Sequence, residues 1–205
     1  MRAQRRRDMI RRLMVSVVVS VVVVGLFLFL TRVGGPKPFP AAASEAATAA
    51  GCSGIQTPET SAPGGQHLAS GASYTYPSEP ATSGFHDPSP LPADPAVYTE
   101  MPPETRLVHN LEHGFVNVYY RASGDGALPA DDVTALTSYV QDPQTGHVIL
   151  TPHISLPSGT ALALTYWNRI LTCPAGVTPE QARTITSGFV TAFECSNIAP
   201  EASNC

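Results

Sequence analysis

Residues 102–121, PPETRLVHNLEHGFVNVYYR, determine most of what the sequence predicts about the fold. Two prolines open the stretch, and Gly114 stands where a helix that begins after them would end. The residues after Gly114 are rich in β-formers. The stretch therefore predicts a short helix over 104–113, followed by a strand over 115–121.

The predicted helix carries side chains that bind metals. His109 and His113 are four residues apart and share a face, and Glu112 borders that face. Imidazole and carboxylate are ligands that zinc and copper favour. The motif therefore predicts a metal site with His109 and His113 as ligands and Glu112 as a further ligand or as the hydrogen-bond partner of one.

Two other interpretations of this motif stay open. Histidines near the end of a helix interact favourably with its dipole and need no metal. H-x-x-E-H is also the pattern of one class of zinc metalloprotease, in which the glutamate activates a zinc-bound water. That mechanism needs a longer helix than Gly114 allows, so no catalytic residue is assigned.

Further regular structure is predicted in the second half of the chain. A helix is expected over 129–141, with two acidic residues in its first turn, and strands are expected over 147–151 and 160–167. Thr178 and Gln181 form a capping box that opens a helix to about residue 193. The expected fold is α+β, with a small antiparallel sheet and two or three helices.

The N-terminal segment has the pattern of a membrane anchor. Six arginines fall within residues 1–12, and residues 13–30 carry no charge. An apolar run of about 18 residues is long enough to cross a bilayer, and one-sided arginines keep the N-terminus in the cytoplasm. We therefore expect a cytoplasmic basic stub (1–12), a transmembrane helix (13–30), a Pro/Ala-rich linker (31–51) and an exported histidine-rich domain (52–205). This arrangement would place the protein in the cell membrane as a single-pass protein.

Cleavage of this segment is the competing interpretation. The alanines at 41–43 resemble a signal-peptidase site, and Cys52 with its preceding small residues resembles a lipoprotein site. Both lie far beyond the apolar run, which itself exceeds the usual ~7–15 residues of a signal peptide. An uncleaved anchor is therefore favoured.

Charge and cysteine content restrict the partners. From Gly34 onward five basic residues face fifteen acidic ones, a formal charge of −10, which argues against nucleic acid as a partner. All four cysteines lie in the same region, and an even count predicts two disulfides in an oxidising compartment. Cys173 ends a predicted strand and Cys195 ends the helix expected to fold back over it, so we predict Cys173–Cys195 and, near the two domain ends, Cys52–Cys205.

Two motifs resemble those of a known family. PATSGFH (80–86), then Tyr98, then LVHNLEHG (107–114) is similar to a bacterial family of exported domains of unknown function, DUF3105. Its members show P-P-T-S-G-P-H and V-H-x-L-E-H-G, with a further histidine upstream that His67 matches. Ala81 and Phe85 replace two prolines of the pattern. The resemblance covers about residues 55–193.

The resemblance adds His67 and His86 to the candidate ligands. It supports one site formed by His67, His86, His109 and His113. His147 and His153 lie at the two ends of a predicted strand, and we expect them to be surface residues outside this site. Three or four imidazoles without thiolate suit Cu(II) or Zn(II). The expected partners are this metal ion, the membrane and a membrane protein. The alternative is an accessory module that docks on a membrane complex and binds no metal.

Overall fold

The described residues of the N-terminal unit do not show the expected anchor. The computed structural model describes residues 13–25, 34–59, 64–94 and 96–205, and the chain divides into two compact units, Met1–Gly35 and Pro36–Cys205. Residues 13–25 are helical. Among the described residues no helix is long and apolar enough to cross a membrane. The predicted anchor over 13–30 and the single-pass membrane location are therefore wrong; residues 1–12 and 26–30 lie outside the described residues.

The second unit combines one sheet with helices. In chain order its elements are α1 (Ala41–Ala49), α2 (Glu104–Glu112), β1 (Val116–Tyr120), α3 (Ala130–Val140), β2 (Val148–Pro152), β3 (Leu162–Tyr166), β4 (Arg169–Cys173), α4 (Pro179–Phe193) and a final 3₁₀ turn (Ala202–Asn204). The α+β class is therefore observed as predicted.

The sheet is mixed, and the prediction of an antiparallel sheet is wrong. Its strand order is β2-β1-β3-β4. Strand β1 runs parallel to β2, with Val118 opposite Leu150, and antiparallel to β3, which is antiparallel to β4. The connection from β1 to β2 contains α3, and a crossover that contains a helix returns the chain in the parallel direction.

Helix α4 organises the core on one side of the sheet. Its first turn has the predicted capping box, in which Gln181 N–H donates to the Thr178 hydroxyl and Thr178 N–H donates to Gln181 Oε1. Ile185 and Phe189 are fully buried in the main hydrophobic core. At Gly188 a Cβ would lie 2.2 Å from the Cβ of Ala43 in α1. The missing side chain therefore allows α1 to pack closely against α4.

Residues 36–51 of the expected linker contain α1 and belong to the second compact unit. Ala43 and Ala47 are buried, and Lys37 N–H donates to the Ala192 carbonyl at 2.9 Å. The buried face of α1 consists of alanines, so it has no large apolar residues at helical spacing to reveal it. The compact unit begins at Pro36, sixteen residues before the predicted domain boundary.

The predicted disulfide pairing is also wrong. The observed bridges are Cys52–Cys173 and Cys195–Cys205. Ser53 N–H donates to the Thr172 carbonyl at 2.7 Å, which places the preceding cysteine beside the end of β4. After α4 the chain turns back on itself, and the second bridge closes over a separation of ten residues.

Candidate metal centre

Helix α2 presents two of the candidate ligands. His109 and Glu112 lie in its last turn, and His113 caps it. Gly114 then adopts φ +86°, a left-handed conformation that ends the helix, and Phe115 N–H donates to the Asn110 carbonyl at 3.0 Å. The helix predicted over 104–113 is confirmed to within one residue.

Two loops bring the remaining histidines to the end of α2. His67 and His86 form a parallel bridge in which Leu68 N–H donates to the His86 carbonyl at 2.7 Å and His86 N–H donates to the Gln66 carbonyl at 3.3 Å. The imidazole centroids of His86 and His109 lie 4.8 Å apart. Main-chain pairing of two loops thus brings together residues that are far apart in sequence.

Four side chains form the candidate metal centre: His67, His86, His109 and Glu112. Each offers one ligand atom, and these atoms all lie within 4.8 Å of one another. Ligands on a tetrahedral ion with bonds of ~2.0–2.1 Å lie about 3.3–3.4 Å apart. The widest separation in the group therefore needs to contract by at most about 1.5 Å. Three members are buried and His67 is exposed, so the centre reaches the surface at one ligand.

Main-chain carbonyls orient the two buried imidazoles. His86 Nδ1 lies 2.8 Å from the Gly84 carbonyl, and His109 Nδ1 lies 2.6 Å from the Asp87 carbonyl. A carbonyl only accepts, so each Nδ1 carries the proton that it donates. Each Nε2 is therefore directed into the centre, as in histidines whose other nitrogen is held while they bind a metal.

Glu112 is fully buried beside His86. The Glu112 Oε2 atom lies 3.0 Å from His86 Nε2, and both side chains have no exposed area. Among the described residues neither atom has another hydrogen-bond partner. The second oxygen accepts the Gly65 N–H. At Gly64 a Cβ would lie 2.7 Å from that oxygen and 2.2 Å from Pro200 Cγ, so only glycine allows this approach.

The surroundings shift the pKa values of three of these groups. Burial lowers the pKa of His109 below its ordinary value, more than a main-chain carbonyl raises it. Burial alone would lower the pKa of His86 and raise that of Glu112. The hydrogen bond between the two, main-chain hydrogen bonds to each and their opposite charges together outweigh burial, so the pKa of His86 is raised and that of Glu112 is lowered. At neutral pH Glu112 is therefore ionised, His109 is the free base, and His86 holds a proton more readily than an ordinary histidine.

His113 lies at the edge of the centre. Its Nε2 is 2.8 Å from His109 Nε2, its Nδ1 is 3.7 Å from Glu201 Oε2, and 27 % of its side chain is exposed. Of the four predicted histidine ligands, three share the tight group with Glu112, and His113 reaches it through His109. Sequence reasoning did not identify Glu201, which approaches from the C-terminal segment.

The other two histidines lie outside the centre, as predicted. His153 Nδ1 accepts the Ser155 N–H at 3.3 Å, so its proton is on Nε2, 3.2 Å from Glu79 Oε1. A histidine bonded in this way holds loops together and offers no lone pair to a metal. His147 lies beside Cys195.

The comparisons with known proteins identify the family. Residues 67–204 match the family described as "Protein of unknown function (DUF3105)". The match covers more than half of the chain, which therefore belongs to this family, and it begins at the first candidate ligand. No significant match was found among curated proteins or among solved structures.

Proposed function

We propose that this member of the DUF3105 family binds one divalent transition-metal ion, Cu(II) or Zn(II), at the candidate metal centre. The supporting observation is the orientation of His86 and His109. Main-chain carbonyls hold both Nδ1 atoms, at 2.8 and 2.6 Å, so both Nε2 atoms are available beside one buried carboxylate. His67 supplies the third imidazole, and Glu112 is the fourth ligand or the hydrogen-bond partner of a ligand.

The donor atoms favour this class of ion. Imidazole nitrogen with a single carboxylate suits Cu(II) and Zn(II), whereas Ca²⁺ and Mg²⁺ prefer oxygen ligands. The negative charge of the domain raises the local concentration of cations. Without an ion, His109 Nε2 and His113 Nε2 lie 2.8 Å apart, and since His109 is the free base with its proton on Nδ1, the proton between them belongs to His113; an ion bound to the His109 lone pair would take the place of this hydrogen bond.

The environment of Glu112 supports binding as its role. One oxygen accepts the Gly65 N–H and the other contacts His86, and the side chain is completely buried. A general base in a metallohydrolase needs an oxygen free to take a proton from a bound water. We therefore propose that Glu112 holds the histidines and the ion in place.

Metal titration tests this proposal. The 205-residue chain is stripped with chelator and titrated with Zn(II) and with Cu(II), and elemental analysis of the protein as purified is run in parallel. Trp167, the only tryptophan in the chain, lies with its ring 6.3 Å from that of His86, so its fluorescence reports binding. We expect one tight equivalent in the parent and its loss in His109→Ala.

His147→Asn is the matched control, since it also removes an imidazole but lies outside the centre, and it should bind as the parent does. Equal binding by the His109→Ala variant would contradict the assigned ligands. Absence of any bound or titratable metal would contradict the proposal and favour the docking module.

A further inference from the structure

A second group of metal-ligating atoms lies at the C-terminal disulfide. His147 Nδ1 and the sulfurs of Cys195 and Cys205 all lie within 4.8 Å of one another. His147 Nδ1 is 3.6 Å from Cys195 Sγ and 3.5 Å from Glu194 Oε1. Sulfur binds metals as the thiolate, so this group becomes a ligand set only when the disulfide is reduced.

Two of these residues are held in place without the disulfide. The His147 carbonyl accepts the Val116 N–H at 2.8 Å, and Cys195 N–H donates to the Gly114 carbonyl at 3.1 Å. Both have left-handed backbones, with φ of +42° and +54°. Such conformations are uncommon outside glycine and concentrate at functional sites. These main-chain bonds would keep the two side chains adjacent after reduction.

We propose that reduction of the Cys195–Cys205 bridge creates a site for a thiophilic ion, Cu(I) or Zn(II), whose ligands are the two thiolates and His147 Nδ1. Thiolate with imidazole is a donor set that suits these two ions. Two thiolates on an ion with bonds of ~2.3 Å lie about 3.8 Å apart. The Cα atoms of the two cysteines are 5.6 Å apart, so side-chain rotation can provide this spacing. The site shares no ligand with the candidate metal centre and does not depend on it.

The reductant would be a dithiol. One of its thiolates attacks the sulfur of Cys205, which is exposed, and the S–S bond breaks to release Cys195 as a thiolate that takes up a proton. The second thiol of the reductant then closes its own disulfide and releases Cys205 as a thiol, so two electrons and two protons are transferred. Metal binding displaces both thiol protons, and the tautomer of His147 with its proton on Nε2 supplies the lone pair of Nδ1. The other bridge is better protected, since Cys173 is only 1 % exposed.

His147 of the second group borders a cavity that reaches His113 at the edge of the candidate metal centre. His147 and His113 both line a cavity of about 280 Å³, together with Phe115. His113 Nε2 also lies 2.8 Å from His109 Nε2, so one side chain separates this cavity from the centre.

Optical titration with Co(II), a spectroscopic substitute for zinc, tests the site. The 205-residue chain is treated with a phosphine reductant, which is then removed without oxygen, and the free thiols are counted. Thiolate-to-cobalt charge transfer distinguishes sulfur ligation from the nitrogen ligation of the histidine centre. We expect two free thiols and one equivalent of thiolate-bound Co(II). Cu(I) is tested separately by competition with a Cu(I)-specific chelator.

Three controls accompany this titration. The oxidised parent and a Cys195→Ser/Cys205→Ser variant, which retains the other bridge, should show no charge-transfer band. The His147→Asn variant keeps a residue that tolerates left-handed backbone and should bind at least tenfold more weakly.

Three results would overturn the proposal. The first is a reduced, folded parent that shows no charge-transfer band. The second is a band in the double serine variant as strong as that of the reduced parent. The third is a His147→Asn variant that binds Co(II) as tightly as the parent. If reduction unfolds the domain, Zn(II) or Cu(I) should restore the circular dichroism of the parent but not that of the double serine variant, and this result would support the site. Failure to recover would refute it.

Discussion

Replacement of Glu112 by glutamine tests the electrostatics at the centre of the site. The carboxylate is fully buried and bonds to Gly65 N–H and to His86. Glutamine keeps the shape and one oxygen, so both bonds can persist without the charge. Hydrogen bonds to charged groups contribute ~1.5–3 kcal/mol and neutral ones ~0.5–1.5 kcal/mol, so we expect a loss of about 2 kcal/mol for two bonds. For a domain of this size that lowers Tm by about 4–8 °C.

This loss of stability is measured by urea denaturation at pH 7 in the presence of chelator. Unfolding is monitored by circular dichroism and by the fluorescence of Trp167. Glu112→Ala is the companion variant, because it leaves buried partners unpaired and should cost about 3–5 kcal/mol. The expected order of stability is parent, then Gln, then Ala. A Gln variant within about 0.5 kcal/mol of the parent, or one as unstable as Ala, would refute the role of the charge.

Two further predictions concern the loop contact at Gly64 and the protons of the imidazoles. Gly64→Ala should destabilise the domain by about 1–3 kcal/mol in urea denaturation and should weaken Zn(II) binding, because the new Cβ would overlap Pro200 Cγ, 2.2 Å away. A variant with the stability and the affinity of the parent would show that this contact is unimportant. Zn(II) affinity should fall about tenfold per pH unit below the pKa of His86. Burial lowers this pKa, but the hydrogen bonds to Glu112 and to the Gly84 carbonyl and the nearby carboxylate charges together raise it further, so one proton must leave on binding. Burial lowers the pKa of His109, so this residue should release no proton near pH 7. Calorimetry in buffers of different ionisation enthalpy should therefore count about one proton released per Zn(II) bound. Affinity that does not vary with pH would contradict this prediction.

Local signals predicted the secondary structure well where they were strong. The helix before Gly114 and the capping box at Thr178 depend on neighbouring residues only, and both were found. Strands β1 and β2 pair in parallel because a helix connects them. The sequence predicted this helix, but the prediction of an antiparallel sheet did not take into account that such a connection makes the two strands parallel. Helix α1 has only alanine on its buried face, so hydrophobic periodicity could not reveal it.

The candidate site shows the same division between local and long-range information. The spacing of His109 and His113 correctly indicated two neighbouring imidazoles. The spacing could not show that Glu112 would be the buried member and His113 the edge member, because the loops of Gly64 and His86 determine which side of the helix is covered. The disulfides were mispaired for a similar reason, since they depend on chain contacts far apart in sequence.

The central claim is tested most directly by locating the metal. Crystals of the 205-residue chain loaded with one equivalent of Zn(II) should be measured at the zinc absorption edge. The account predicts one anomalous peak within about 2.0–2.2 Å of the Nε2 atoms of His86 and His109 and of an imidazole nitrogen of His67. A zinc peak elsewhere on the chain, with none between these three histidines, would contradict the account.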